Sequence, residues 1–146
     1  MFKKIIEFTP SVLSRLVIGY IFVESGFGKL QNIDKVVQYF ESLNIPFAHI
    51  QAPFVAGVEL AAGLFIALGL LTRFASLPLI VIMTIALKTA KSEDIVDLSS
   101  LFGTSEFLYI VILVWLLFYG APIFSLDQVI AKKFCKNEAC QKRLFI

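Results

Sequence analysis

Between Phe107 and Leu126 the chain runs for 20 residues without a charged side chain. A helix rises about 1.5 Å per residue, so about 20 mostly apolar residues are what it takes to cross the hydrocarbon of a bilayer. No other feature narrows the possible folds as much. Three more stretches approach the same pattern, from about Pro10 to Phe27, from about Pro53 to Leu71 and from about Phe74 to Ala90. The last segment is read from about Glu106 to Pro122. The third is the least regular, with Pro78 in its first turns and Lys88 near its end. A proline is tolerated in a membrane when neighbouring helices satisfy the freed carbonyl.

Composition agrees. Hydrophobic residues make up 58% of the 146, charged residues 16%, and the mean hydropathy is +0.85. A soluble domain carries about 25% charged residues, and one of this size leaves about a third of its surface in water. These values exclude an ordinary soluble enzyme, a disordered chain and a disulfide-rich secreted domain. The length allows one domain, and a net charge of +2 is too small to point to nucleic acid.

Local signals punctuate the segments. Thr9–Pro10 reads as an N-cap followed by proline at the first helical position, and Ala52–Pro53 opens the second segment in the same way. Thr72–Arg73 joins segments two and three as a tight antiparallel hairpin, and Gly120-Ala121-Pro122 stops the fourth. Two stretches read as amphipathic helices lying on the membrane. In Ile33 to Leu43, the residues Val36, Tyr39, Phe40 and Leu43 recur at helical spacing. Ser125 to Phe134 opens with a capping-box pattern, Ser125 and Gln128, and carries Lys132 and Lys133. The expected architecture is all-α: a four-transmembrane-helix bundle with short interfacial amphipathic helices.

Basic residues set the expected orientation. Lys3, Lys4, Arg15, Arg73, Lys132, Lys133, Lys136, Lys142 and Arg143 fall on one side, and Lys29, Lys35, Lys88 and Lys91 on the other. Nine against four places both termini in the cytoplasm. Glu24, together with the lack of a small-residue cleavage site after the first segment, argues against a signal peptide.

Charge inside a bilayer is costly, so the intramembrane charges are the first candidates for function. They are Arg15 and Glu24 in segment one, Glu59 in segment two, and Lys88 and Glu106 near the ends of segments three and four. With Lys29, the expectation is that Glu24, Glu59, Lys88 and Glu106 converge on the outer half of the bundle. Arg15, nine residues from Glu24, points to the opposite face of its helix. In a functional reading Glu59 and Glu24 exchange protons, and Arg15, Lys29, Lys88 and Glu106 bind substrate. In a structural reading Glu59 pairs with Lys88 or Lys29, while Lys88, Glu106 and Arg15 snorkel to headgroups.

Other chemistry is sparse. His49 is the only histidine, which excludes bis-His haem and a His-rich metal site within one chain. Cys135 and Cys140, with four residues between them in the basic tail, lack the further ligands of a zinc site and read as free thiols. No nucleotide signature is present. Gly19, Gly26, Gly57 and Gly63 read as close helix contacts. Tyr20, Tyr109, Trp115 and Tyr119 read as packing or interface residues.

A family resemblance rests on three motifs. Segment one contains Arg15, Gly19 and Ser25-Gly26-Phe27-Gly28-Lys29-Leu30. Segment two contains Gly57-Val58-Glu59 and the turn Gly69-Leu70-Leu71-Thr72-Arg73. Segment four ends in Gly120-Ala121-Pro122 before Ser125-Leu126-Asp127. Together these resemble the DoxX family of small four-helix membrane proteins, from about Arg15 to Asp127. Glu24 and Ser25 depart from it, where many members carry an apolar residue and a histidine. The resemblance implies a DoxX-like membrane domain over residues 1–127, followed by a basic cytoplasmic tail over 128–146. It implies an integral membrane subunit of a redox system, linked to quinone as cofactor, with Arg15, Lys29, Glu59 and Arg73 carrying the site. The chain has no redox centre of its own, so a redox partner protein is implied. Two alternatives stand beside it: a small proton-coupled transporter acting as a homo-oligomer, and a membrane anchor for a soluble enzyme docked on the basic tail.

Overall fold

The structure is a computed structural model that describes residues 2–90 and 97–120. Among these residues it is all helical, with α1 Phe2–Gln31, α2 Ile33–Ser42, α3 Ala48–Leu68, α4 Thr72–Thr89, α5 Leu98–Gly103 and α6 Ser105–Tyr119. The expected helix from Ser125 to Phe134, the tail over 128–146, and Cys135 and Cys140 lie outside the described residues.

Among the described residues three helical stretches are long and apolar enough to cross a bilayer: Pro10–Gln31, Ala48–Leu68 and Thr72–Thr89. The helix α6, with 15 residues, is shorter. At about 1.5 Å per residue it spans roughly 22 Å, against about 30 Å of hydrocarbon. The charge-free run that contains it continues past Gly120, where the described residues end.

Two of the expected helix starts are moved. The helix α1 passes through Pro10, and α3 begins at Ala48 with Pro53 inside it. Proline removes one donor to the carbonyl four residues back, which for Pro53 is His49. That carbonyl lies in the first turn, at the exposed end of the helix. The turn between α3 and α4 is Gly69 to Leu71, just before the expected Thr72–Arg73. Gly69 adopts φ 66°, and its N–H and that of Leu70 bond back to the carbonyls of Ile66 and Phe65 at 3.0 and 2.8 Å. This is the left-handed helix stop that favours glycine.

The most extensive packing is between α1 and α3, followed by α4 with α6; α3 joins the two pairs through α4, and α1 also touches α6. The α1–α3 pair is antiparallel. Gly19 meets Gly63 and Ala67, and Gly26, two turns on, meets Ala56 and Leu60. A Cβ on Gly26 would lie 2.6 Å from the Leu60 nitrogen, and one on Gly19 would lie 2.7 Å from the Ala67 Cβ. Gly63 is equally confined, against Phe22 and Val23. The reading of close contact therefore holds for these three glycines and fails for Gly57, which faces open space.

Between the pairs lies a core of Ile18, Phe22, Ile66, Leu79, Leu113 and Leu116 with smaller neighbours. The ring of Phe22 meets that of Tyr109 edge-on, with centroids 6.0 Å apart. A second cluster, Val37 with Ala48 and Ala52, fastens α2 over the start of α3. Gly26→Ala is expected to destabilise the fold by about 1–3 kcal/mol through overpacking. Gly57→Ala is expected to be neutral or stabilising by up to about 1 kcal/mol through helix propensity. Denaturant unfolding in mild detergent, followed by circular dichroism, measures both.

Candidate functional site

The α1–α3 contact brings Ser25 and Lys29, one helical turn apart on α1, level with Glu59 on α3. The Glu59 side chain is fully buried. Its carboxylate accepts two bonds from the Lys29 ammonium, at 2.6 Å to Oε1 and 2.5 Å to Oε2, and a third from the Ser25 hydroxyl at 3.0 Å. A buried carboxylate needs this provision, because desolvation alone would exceed the attraction of a single poorly placed partner. Of the two partners open to Glu59 by sequence, Lys29 is the one that pairs.

Lys29 keeps 30% of its side chain accessible. It faces a cavity of about 460 Å³ at the bundle end where α1 and α4 finish and α3 and α6 begin. Each of these helices supplies a wall, and α2 lies across the end and covers part of the opening. From α1 come Phe22, Ser25 and Lys29, and from α3 come Gln51, Val55 and Glu59. The α4 wall is largely apolar, with Ile82, Met83, Ile85 and Ala86. The α6 wall presents Glu106 and, one turn on, Tyr109, whose ring meets that of Phe22. The α2 helix contributes Lys35, Val36, Tyr39 and Phe40, and Leu43 follows at its end. The apolar stripe of α2, expected to rest on the membrane, thus covers this cavity as well.

The cavity joins three of the five charges expected to converge: Lys29, Glu59 and Glu106. Glu24 and Lys88 are not among its walls, and both are exposed. Glu24 turns away because the α1 face that carries Phe22, Ser25 and Lys29 packs inward, and Glu24 lies on the opposite side.

Arg15 sits elsewhere. By the register of the glycine contacts it lies level with the α3–α4 turn, at the other end of the bundle. It is buried, and its Nε donates to the Ser11 carbonyl at 3.3 Å. Arg73 is at that end too. Its Nη2 donates to the Phe118 carbonyl at 3.2 Å, and its side chain packs on Gly120, where φ is 66°. A basic group bonding the last carbonyls of a helix is favourable there, so Arg73 ties the start of α4 to the end of α6. His49 is exposed, with Nε2 3.1 Å from Glu41 Oε1, outside the cavity.

Several lining residues were not candidates by sequence. Ser25 and Tyr109 are the important ones. Ser25 lies four residues before Lys29, and Tyr109 three after Glu106, so each shares a helix face with a charge already singled out. Lys35 and Tyr39 reach the cavity only because α2 folds back over the bundle.

Known proteins resemble this chain over most of its length. A Bacillus subtilis protein named "Putative oxidoreductase CatD" is 27% identical over 124 residues, covering 84% of this chain and 87% of that one. An uncharacterised membrane protein of Mycobacterium tuberculosis, Rv3486, is 30% identical over 148 residues, covering 87% of this chain and 85% of its own. The DoxX family model matches residues 11–92. The chain belongs to the DoxX family. The matched DoxX region contains Arg15, Ser25, Lys29, Glu59 and Arg73, and ends before Glu106 and Tyr109. No solved structure matches.

Lys29→Met leaves Glu59 buried without its cation and is expected to destabilise the fold by about 3–5 kcal/mol. Replacing both, as Lys29→Met with Glu59→Met, is expected to recover most of that loss. Unfolding of the two variants and of the double variant in detergent measures the difference.

Proposed function

We propose that this DoxX protein is the membrane subunit of a quinone-linked oxidoreductase system and that the Lys29–Glu59 cavity receives the quinone headgroup. The observation that carries the reading is the buried, threefold-bonded Glu59 facing an otherwise apolar cavity through a partly open Lys29. A volume of about 460 Å³ lies within the range of ligand pockets, about 300–1,000 Å³, and a mostly apolar wall with a few placed polar groups is their usual make-up. The name of the Bacillus relative supports the redox assignment.

The residues fit such a guest. An ammonium has three donors, and Glu59 takes two of those on Lys29. The third is left for a ligand carbonyl. Tyr109 and Glu106 stand on the facing wall, where a second carbonyl or hydroxyl would lie. When bound, the quinone supplies the electron acceptor, which takes up two electrons and two protons. Glu59 and Glu106 are the carboxyl groups in the cavity that would pass protons, and Lys29 would hold the carbonyl. Electrons come from a partner protein.

In this reading the helices cross a bacterial cytoplasmic membrane four times, the run from Phe107 to Leu126 supplying the fourth crossing. Both termini are cytoplasmic, following the basic residues, and the cavity lies in the outer half.

Titration of the purified protein with a short-chain quinone tests the proposal. Lys29→Ala removes a hydrogen bond to a charged donor, worth about 1.5–3 kcal/mol, so binding is expected to weaken at least about tenfold. The measurement is made under conditions where the variant keeps its helical content. Unchanged affinity in Lys29→Ala, or no binding by the intact protein, would contradict it.

A further inference from the structure

The outward face of α1 differs from that of the other long helices. On α3 the exposed residues beyond His49 in the first turn are apolar, among them Phe54, Ala61, Leu64, Phe65 and Leu68. On α4 they are Phe74, Leu77, Val81 and Ile85, with Lys88 one residue from the helix end. The exposed face of α1 carries a carboxylate, Glu24, well inside the apolar span Pro10–Gln31. Gln31 is seven residues further on, roughly 10 Å along the axis. A glutamate side chain is too short to reach headgroups from there. Glu24 makes no hydrogen bond or ion pair among the described residues. An ionisable group facing hydrocarbon at this depth is unfavourable, and such groups in membrane helices face a protein partner.

The residues around Glu24 give the shape of that partner. Leu13, Val17, Tyr20, Glu24, Phe27 and Gln31 are all exposed and follow one another at alternating spacings of four and three. This is the heptad seam of a parallel coiled coil, with Val17, Glu24 and Gln31 at one set of positions and Leu13, Tyr20 and Phe27 at the other. We propose that this seam is covered by the same seam of a second copy of the chain. A two-fold axis parallel to α1 sets Val17 against Val17, Glu24 against Glu24 and Gln31 against Gln31. The two Glu24 carboxyl groups then hydrogen-bond across the seam, one donating and one accepting, and the Gln31 amides do the same one heptad away. Polar residues at such positions hold membrane helices together and fix their register. The seam is complementary to itself, whereas the outward faces of α3 and α4 are apolar at the depth of Glu24, with Lys88 nearer the helix end.

Cross-linking tests this in phosphatidylcholine vesicles, using the full chain with Cys135→Ser and Cys140→Ser. Val17→Cys in that background is expected to form a disulfide-linked dimer on oxidation, and Leu64→Cys on the outward face of α3 is not. Adding Glu24→Leu to Val17→Cys is expected to raise the protein density needed for half-maximal cross-linking about tenfold. Glu24→Gln, which keeps a donor and an acceptor, is expected to retain cross-linking. Failure of Val17→Cys to cross-link would overturn the proposal. So would equal cross-linking at Leu64→Cys, or an unchanged yield with Glu24→Leu.

Discussion

A carboxylate with no exposure to solvent, set among helices built almost entirely of hydrocarbon, restricts everything around it. Glu59 has to be met by a cation and a further donor within the reach of its own two oxygens, and Lys29 and Ser25 meet it. Both come from α1, so the register of α1 on α3 cannot slip by a turn without leaving the charge alone. The glycines enforce the same register by another route. Gly19, Gly26 and Gly63 let the two backbones touch, and a methyl group at any of them would push the helices apart. Close approach also shortens the distance that Lys29 has to span. Apolar packing and ion pairing therefore specify one arrangement.

The same pair gives the cavity its chemistry. Its walls are mostly aliphatic and aromatic, and its charged groups come from separate helices, Lys29 from α1, Glu59 from α3, Glu106 from α6 and Lys35 from α2. A guest there meets hydrocarbon along its body and polar groups at its ends, as a ring with two oxygens requires. A partial cover is α2, which is held to α3 by Val37, Ala48 and Ala52 and whose Tyr39 and Phe40 line the cavity.

Much of this was legible in the residue order, and what was not has physical causes. Apolar length marks α1, α3 and α4, and the stripe of Val36, Tyr39, Phe40 and Leu43 marks α2, because each signal is local. Pro10 and Pro53 suggested helix starts, since a first-turn proline costs nothing, yet both helices begin earlier. Glu59 stands out by its cost alone, but the choice of Lys29 over Lys88 depends on which helices pack, which no local pattern records. Gly57 looks like Gly26 in sequence and differs only in what lies opposite. Glu24, four residues before Gly28 and one before Ser25, looked like part of the site, and its helix face carries it away from the cavity. The second wall, Glu106 with Tyr109, depends on where α6 docks.

In the proposed function the Glu59 carboxyl, held by Lys29, senses a molecule in the cavity. Difference infrared spectroscopy of the protein in lipid, recorded with and without a short-chain quinone, reads that group directly. Quinone addition is expected to shift the carboxyl stretching bands, and the shift is expected to be lost in Glu59→Gln. A difference spectrum with no carboxyl contribution, or one unchanged by Glu59→Gln, would contradict it.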